Sequence, residues 1–175
     1  MVELKFNIKD EISPRMAALL DSFKDFTEPL RKAEEYMLGS ITETFRVGGR
    51  PEKWAPLKPS SIRARAYRHR RGSSARAKRT RKKAIEVMMA GNIRPLIDTG
   101  TLMRSVTARS DPRGIRQLTK TELVIGTNVQ YAPYHQQGTK HIPARPFLQI
   151  LPEDKENITK IFKDWLEKVA GYKGG

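Results

Sequence analysis

At 175 residues and without a cysteine, the chain has material for one modest core and neither a disulfide framework nor thiolate chemistry. No run approaches the roughly 20 apolar residues of a membrane span, and the opening "MVELKFNIKD" lacks a signal-peptide pattern, so a cytoplasm is the expected place of synthesis. The net charge of +15 is unevenly placed: Lys53 to Lys83 holds 13 of the 34 Lys and Arg and no Asp or Glu, leaving 21 cations elsewhere against all 19 carboxylates. The composition is that of a nearly neutral body carrying one very basic insert.

In chain order, Val2, Leu4, Phe6 and Ile8 alternate with polar residues and predict a half-buried strand. Ser13-Pro14 has the form of a helix start, with Met16, Leu19, Leu20, Phe23 and Phe26 following at helical spacing. Thr27 and Pro29 restart a second helix whose stripe is Leu30, Ala33, Met37, Ile41 and Phe45, and Gly48-Gly49 ends it. "RPEKWAPLKPSS" is proline-rich and reads as an extended connector pinned by Trp54. The insert, "RARAYRHRRGSSARAKRTRKK", is broken by Gly72-Ser73-Ser74. Its halves are expected to be helical when their charge is neutralised, and mobile when it is not.

"LIDTGTLMRSVTARS" and "TELVIGTN" predict a β-hairpin, with Val106 and Ala108 alternating on one strand and Leu123 and Ile125 on the other. "DPRGIRQLTK" is then a long polar joining loop that projects. Pro152, Glu153 and Asp154 open a C-terminal helix with acids where the helix dipole favours them. Its apolar stripe is Ile158, Ile161, Phe162, Trp165, Leu166 and Val169, closed by Gly171. The fold class expected is α+β: a small antiparallel sheet flanked by amphipathic helices, with the basic insert and a C-terminal helix.

The richest stretch chemically is "YAPYHQQGTKHIPARPFL", Tyr131 to Leu148, a loop-like run. His135 and His141 lie six residues apart without a cysteine partner, and His69 sits among arginines, so no metal site is expected. Asp98-Thr99-Gly100 resembles the Asp-Thr-Gly of aspartic proteases, but a second carboxylate is needed to share a proton. The simpler reading is a turn capped by Asp98 or Thr99, with Gly100 supplying backbone freedom. Ser105, His135 and Asp98 can be written as a triad, yet nothing in their spacing asks for one. The expectation is a protein that is not an enzyme and needs no cofactor. The insert favours salt-dependent contact with phosphates, but Tyr67 is its only aromatic and no nucleic-acid-binding motif is present. An insert that docks on an acidic protein surface, or is simply a solvated arm, is the equal alternative.

Four motifs in order, "GGRPEKWAPLKPSSIRAR", "LIDTGTLMRSV", "IGTNVQYAPYHQQGT" and "IPARPFL", resemble the phage virion morphogenesis family, the tail-completion group of Mu-like protein G type. The resemblance runs from about Phe45 to Leu148. The matching positions are Trp54 and Leu57; Asp98, Thr99, Gly100 and Leu102; Gly126, Tyr131, Ala132, His135, Gln136, Gly138 and Thr139; and Ala144, Arg145, Pro146 and Phe147. Where the family shows a carboxylate-rich or Gln-bearing loop before its Gly-Thr, this chain has Gln136-Gln137.

The resemblance implies a single tail-completion-like domain over residues 1–175, with the basic insert at about 58–90 as its most variable part. It implies a virion structural protein of the tail end or head–tail junction, without catalysis or cofactor. Tail or neck proteins would be its partners, and copies of itself in a ring. Assembly-interface candidates are Trp54, Tyr131, Tyr134, His135, Gln136, Gly138, Thr139, Arg145 and Phe147. Arg145, stiffened by Pro143 and Pro146, is expected to fork onto a carboxylate, and Phe147 and Leu148 to anchor the run in the core. Candidates for contact with DNA or an acidic partner are Arg63, Arg65, Arg68, Arg70, Arg71, Arg76, Lys78, Arg79, Arg81, Lys82 and Lys83. The alternative function is sequence-independent nucleic-acid binding through residues 63–83.

Overall fold

The computed structural model describes residues 20, 21, 23–69, 75–87 and 93–170. The strand expected over Val2–Ile8 and the helix start at Ser13-Pro14 lie outside them, as does Gly171. Leu20 and Asp21 are helical, and Phe23 lies in a turn.

Helix α1 spans Thr27–Val47 and is the axis of the molecule. Asp25 accepts the first N–H, that of Thr27, at 2.9 Å, and the Phe26 N–H donates to the carbonyl of Lys120 at 2.7 Å. Ala33, Met37, Ile41 and Phe45 recur every four residues and are buried, as that spacing predicts. Gly48 stops the helix at φ 79° and donates its N–H to Thr44, the left-handed cap for which glycine is suited. The connector then turns back and the Trp54 indole sinks against Phe45, ring centroids 5.4 Å apart and edge-on.

Both halves of the insert are helical: α2 spans Pro59–His69 and α3 spans Ala75–Val87. The next element departs from expectation. Thr101–Thr107 is a short helix, α4, not a strand. Leu102, Ser105 and Val106 are its buried residues, an i, i+3, i+4 set that a helix places on one face. The hairpin lies further on, between β1, Gly114–Leu118, and β2, Leu123–Thr127. They pair antiparallel, with Arg116 opposite Ile125 and Leu118 opposite Leu123. The first strand thus occupies the stretch expected to be a projecting loop. The connection is only four residues, closed by the Thr119 N–H on the Glu122 carbonyl at 2.9 Å.

The run from Tyr131 is not all loop either: Ala132–Gln137 form α5. Helix α6, Pro152–Ala170, returns along α1. There Phe26 meets Phe162 and Trp165 at 6.0 and 5.4 Å. Fold class and C-terminal helix are as expected: α+β, a two-stranded antiparallel sheet among helices. The main core joins Ile41, Phe45, Trp54, Leu96, Leu102, Val106, Val129, Ala132 and Phe147, and so draws on α1, the connector, α4, α5 and the "ARPFL" run together. No described helix is long and apolar enough to cross a membrane.

Candidate functional site

Leu57, Asp98, Thr99, Gly100, Leu102, Tyr131, His135 and Arg145 of the motifs line one cleft of about 860 Å³, at the place where α2 leaves the body. Its walls are the Ala55–Lys58 connector, one side of α2, the Leu96–Leu102 turn, and Tyr131, His135 and the His141–Arg145 run.

Arg145 forms the floor, 4% exposed. It does fork, but onto two carbonyls of the connector: Nε donates to Ala55 at 2.9 Å and an Nη to Pro56 at 3.1 Å. The carboxylate expected there is replaced by main chain. The Trp54 indole N–H donates to the Pro146 carbonyl at 2.9 Å. These three bonds clamp the connector to a segment 89 to 92 residues later in the sequence. Trp54, Arg145 and Phe147, expected as interface candidates, are therefore buried parts of the body.

The opposite wall is electrostatic. Arg65 of α2 approaches the Asp98 carboxylate at 4.0 Å and donates to the Ile97 carbonyl at 3.2 Å. Arg65 faces the body, unlike the outward contact expected for it. Gly100, at φ 76°, is the backbone cap of α4, and Arg104 reaches back to the Thr99 carbonyl at 3.1 Å. Thr99 bonds the Thr101 hydroxyl at 2.7 Å, and its own hydroxyl accepts the Thr101 N–H, the first of α4, at a long 3.4 Å. Ser105 cannot serve a triad: it is fully buried, and its hydroxyl is held by the Leu102 carbonyl and the Thr127 hydroxyl at 2.8 and 2.7 Å.

His135 is half-buried, edge-on to Tyr131 at 5.9 Å, and its Nδ1 has no hydrogen-bond partner among the described residues. Burial, and then the charges of Arg145 and Arg65, hold its pKa below the ordinary value. Burial likewise lowers Arg145, with Arg65 adding to it. Lys58, Arg65 and Arg145 against the one carboxylate of Asp98 leave the cleft lining with an excess of positive charge. His141 also lines it, but among the described residues no group of three or more His, Cys, Asp or Glu could hold a metal ion.

Gln136, the next residue, is structural. Its Oε1 accepts the N–H groups of Phe147 and Leu148 at 3.0 and 3.1 Å, and its Nε2 donates to the Leu148 carbonyl at 2.6 Å. The side chain acts as a short strand partner for the core-bound run. Gly138 follows at φ 77°, where a Cβ would stand 2.7 Å from the Ala144 nitrogen. Thr139 closes the turn, its hydroxyl accepting the N–H groups of His141 and Ile142 at 3.2 and 3.1 Å. Among the expected interface residues, the large aromatic rings left at the surface are Tyr131, 44% exposed, and Tyr134, 57% exposed, both at α5.

Arg63, Arg76, Lys78, Arg79, Lys82 and Lys83 are exposed on α2 and α3. Arg70 and Arg71 lie outside the described residues, as do the side chains of Arg68 and Arg81.

Three structural residues escape a sequence reading. Asp154 has the first-turn position expected of an acid, yet it is fully buried. It accepts the Leu151 N–H at 2.9 Å and the hydroxyls of Ser40 and Tyr36 at 2.7 and 3.1 Å, latching α6 to α1. Arg50 ties the end of α1 to Glu153 at 2.7 Å and to Ser40. Glu34 gathers Arg109 and Arg116 at 3.7 and 3.9 Å, joining α1 to the hairpin side. Each joins segments distant in sequence, and no local spacing signals them.

A sequence profile described as the phage virion morphogenesis family matches residues 66–167. That span takes in most of the arm, the Asp98 turn, α5, the "ARPF" run and nearly all of α6; Trp54 and Leu57 precede it. The chain is also 28% identical over 174 residues to "Mu-like prophage FluMu G protein 2" of Haemophilus influenzae, covering 95% of this chain and 97% of that one. No solved structure matches the chain.

Proposed function

The chain belongs to the phage virion morphogenesis family, and from that premise we propose that it acts in tail completion and head–tail joining by protein–protein assembly. Membership carries a structural role in making a bacteriophage particle, in association with other virion proteins. The finer reading rests chiefly on one observation: the family match over residues 66–167 takes in α3, the Asp98 and His135 sides of the cleft, and most of α6.

The geometry supports assembly rather than turnover. In the cleft Arg145 is spent on main chain and Asp98 faces Arg65, and Gln136 beside it is likewise spent on main chain. Tyr131 and Tyr134 are rigid amphipathic rings at the surface, the type enriched where proteins meet. In this reading the whole chain is one tail-completion-like domain with the basic insert at about 58–90. It sits at the tail end or head–tail junction, after synthesis in the host cytoplasm, beside tail or neck proteins. Copies associate head to tail into a ring matching the axial symmetry of a tail.

Electron microscopy of particles from a phage or prophage lacking this gene tests the reading. Full heads beside unattached or malformed tails are expected. Normal, joined particles would remove it.

A further inference from the structure

Helices α2 and α3 contribute no residue to the main core. They are nevertheless set firmly at their root by the Arg145 fork beneath the connector and by Arg65 on the Asp98 turn. The exposed side chains of the two helices include six cations, Arg63, Arg76, Lys78, Arg79, Lys82 and Lys83, beside Tyr67, Thr80 and Glu86. The sequence holds no carboxylate between Glu52 and Glu86, and Glu86, one turn from Lys82 and Lys83, is the only acid on the two helices. On α3, Arg76, Arg79 and Lys83 follow at i, i+3, i+7, while Lys78 and Lys82 are one turn apart on a neighbouring face. Charge so spread repels itself, and it needs polyanion rather than a single acidic group.

Two polyanions are conceivable, an acidic protein surface and a nucleic acid, and the side chains favour the second. Cores of protein interfaces are rich in aromatic and apolar anchors and poor in lysine. Outside its root this arm offers exposed Tyr67 and half-buried Ile85. Contacts with duplex DNA, by contrast, are polar and strongly positive. The lengths agree: the 13 residues of α3 extend about 20 Å, and duplex DNA carries one charge per about 1.7 Å, so roughly a dozen phosphates lie alongside the helix. Single strands are held by stacking on several aromatic rings, which Tyr67 alone does not provide.

We infer that the α2–α3 arm binds the phosphate backbone of duplex DNA without regard to sequence. The body acts as a rigid mount for it. This inference is independent of the tail-completion reading, since it is read on DNA and not on particles.

The test is fluorescence anisotropy of the full chain with two short duplexes of unrelated sequence, between about 50 and 200 mM salt. Equal affinity for both is expected, with log affinity against log salt falling at a slope of about −5 or steeper, the value for at least about six neutralised phosphates. Replacing Arg76, Lys78, Arg79, Lys82 and Lys83 by Gln should make the slope shallower by about 4, the share of those five charges. Arg76→Lys with Arg79→Lys should keep it, because phosphate neutralisation counts charge. A wild-type slope shallower than about −2 overturns the inference. So does a fivefold variant that binds like the wild type, or a tenfold preference for one duplex. Polyglutamate of matched charge competing as well as DNA would assign the arm to an acidic protein surface instead. If the fivefold variant unfolds, the wild-type slope and the Lys double variant still decide.

Discussion

Arg145 shows how one side chain can hold two distant stretches of chain without a carboxylate. Its bonds to Ala55 and Pro56 depend on a planar fork with donors at fixed angles, which a lysine ammonium on a flexible stem does not reproduce. Arg145→Lys keeps the charge and loses at least one buried bond. It should lower unfolding stability by about 1–3 kcal/mol. Urea titration checks this, and an unchanged midpoint would show the fork to be dispensable. His135, above that fork, gives the molecule a pH dependence. Its pKa is held below the ordinary value by burial and by Arg145 and Arg65, so on acidification the unfolded chain takes up the proton first. The contribution is complete above a pH of about 6.5 and is lost as pH falls toward the folded-state value. Unfolding titrations at pH near 7.5 and near 5.5 should therefore differ more for the wild type than for His135→Gln. Equal differences would mean the imidazole titrates alike in both states. None of this was legible in advance. The sequence marks Arg145 and His135 as chemistry-bearing, but their partners come from residues 55, 56 and 65, and only the closed fold reveals them.

Among the elements, the long amphipathic helices were legible and the short ones were not. In α1 the stripe repeats over 21 residues and a glycine pair follows, so both period and end are visible. In α4 seven residues carry two turns, and Val106 with Ala108 imitates strand alternation. Arg116 hid β1 from view: it is a strand residue whose guanidinium turns inward, to the Val106 carbonyl at 2.9 Å and toward Glu34. A two-stranded sheet without a fully buried residue also lacks the clean alternation that identifies strands. The turn after α5 is the reverse case, since a glycine after "HQQ" signals a turn by its residue type and Gly138 takes φ 77° there. Gly138→Ala forces a Cβ against the Ala144 main chain in a left-handed residue. A loss of about 1–3 kcal/mol is expected. Circular-dichroism melting measures it; a wild-type melting temperature would show that the turn relaxes freely.

For the whole molecule, core and charge are separately housed. The core is assembled from α1, α4, α5 and the "ARPFL" run, whereas the exposed cations of the insert ride on α2 and α3. That division was visible as a composition boundary near Lys53, although the packing that mounts the arm was not. Deleting Arg63–Lys83 removes the Arg65–Asp98 contact but no main-core residue. The remainder should still unfold in one cooperative transition, while head–tail joining fails. Loss of the cooperative transition in calorimetry would place the arm inside the folding unit.

The long reach of the Trp54–Pro146 bond also bears on how the protein is born. A ribosome adding about 5–20 residues each second needs roughly 5–18 s to cross the 92 positions between those partners. Through that interval Phe45 and Trp54 have been made, and Phe147, which covers Phe45 at 5.8 Å, has not. The nascent chain thus carries bare aromatic surface and an unseated cationic arm until its final thirty or so residues appear, a state that invites chaperones and polyanions alike. A chain cut short before Pro146 would have the arm and no mount.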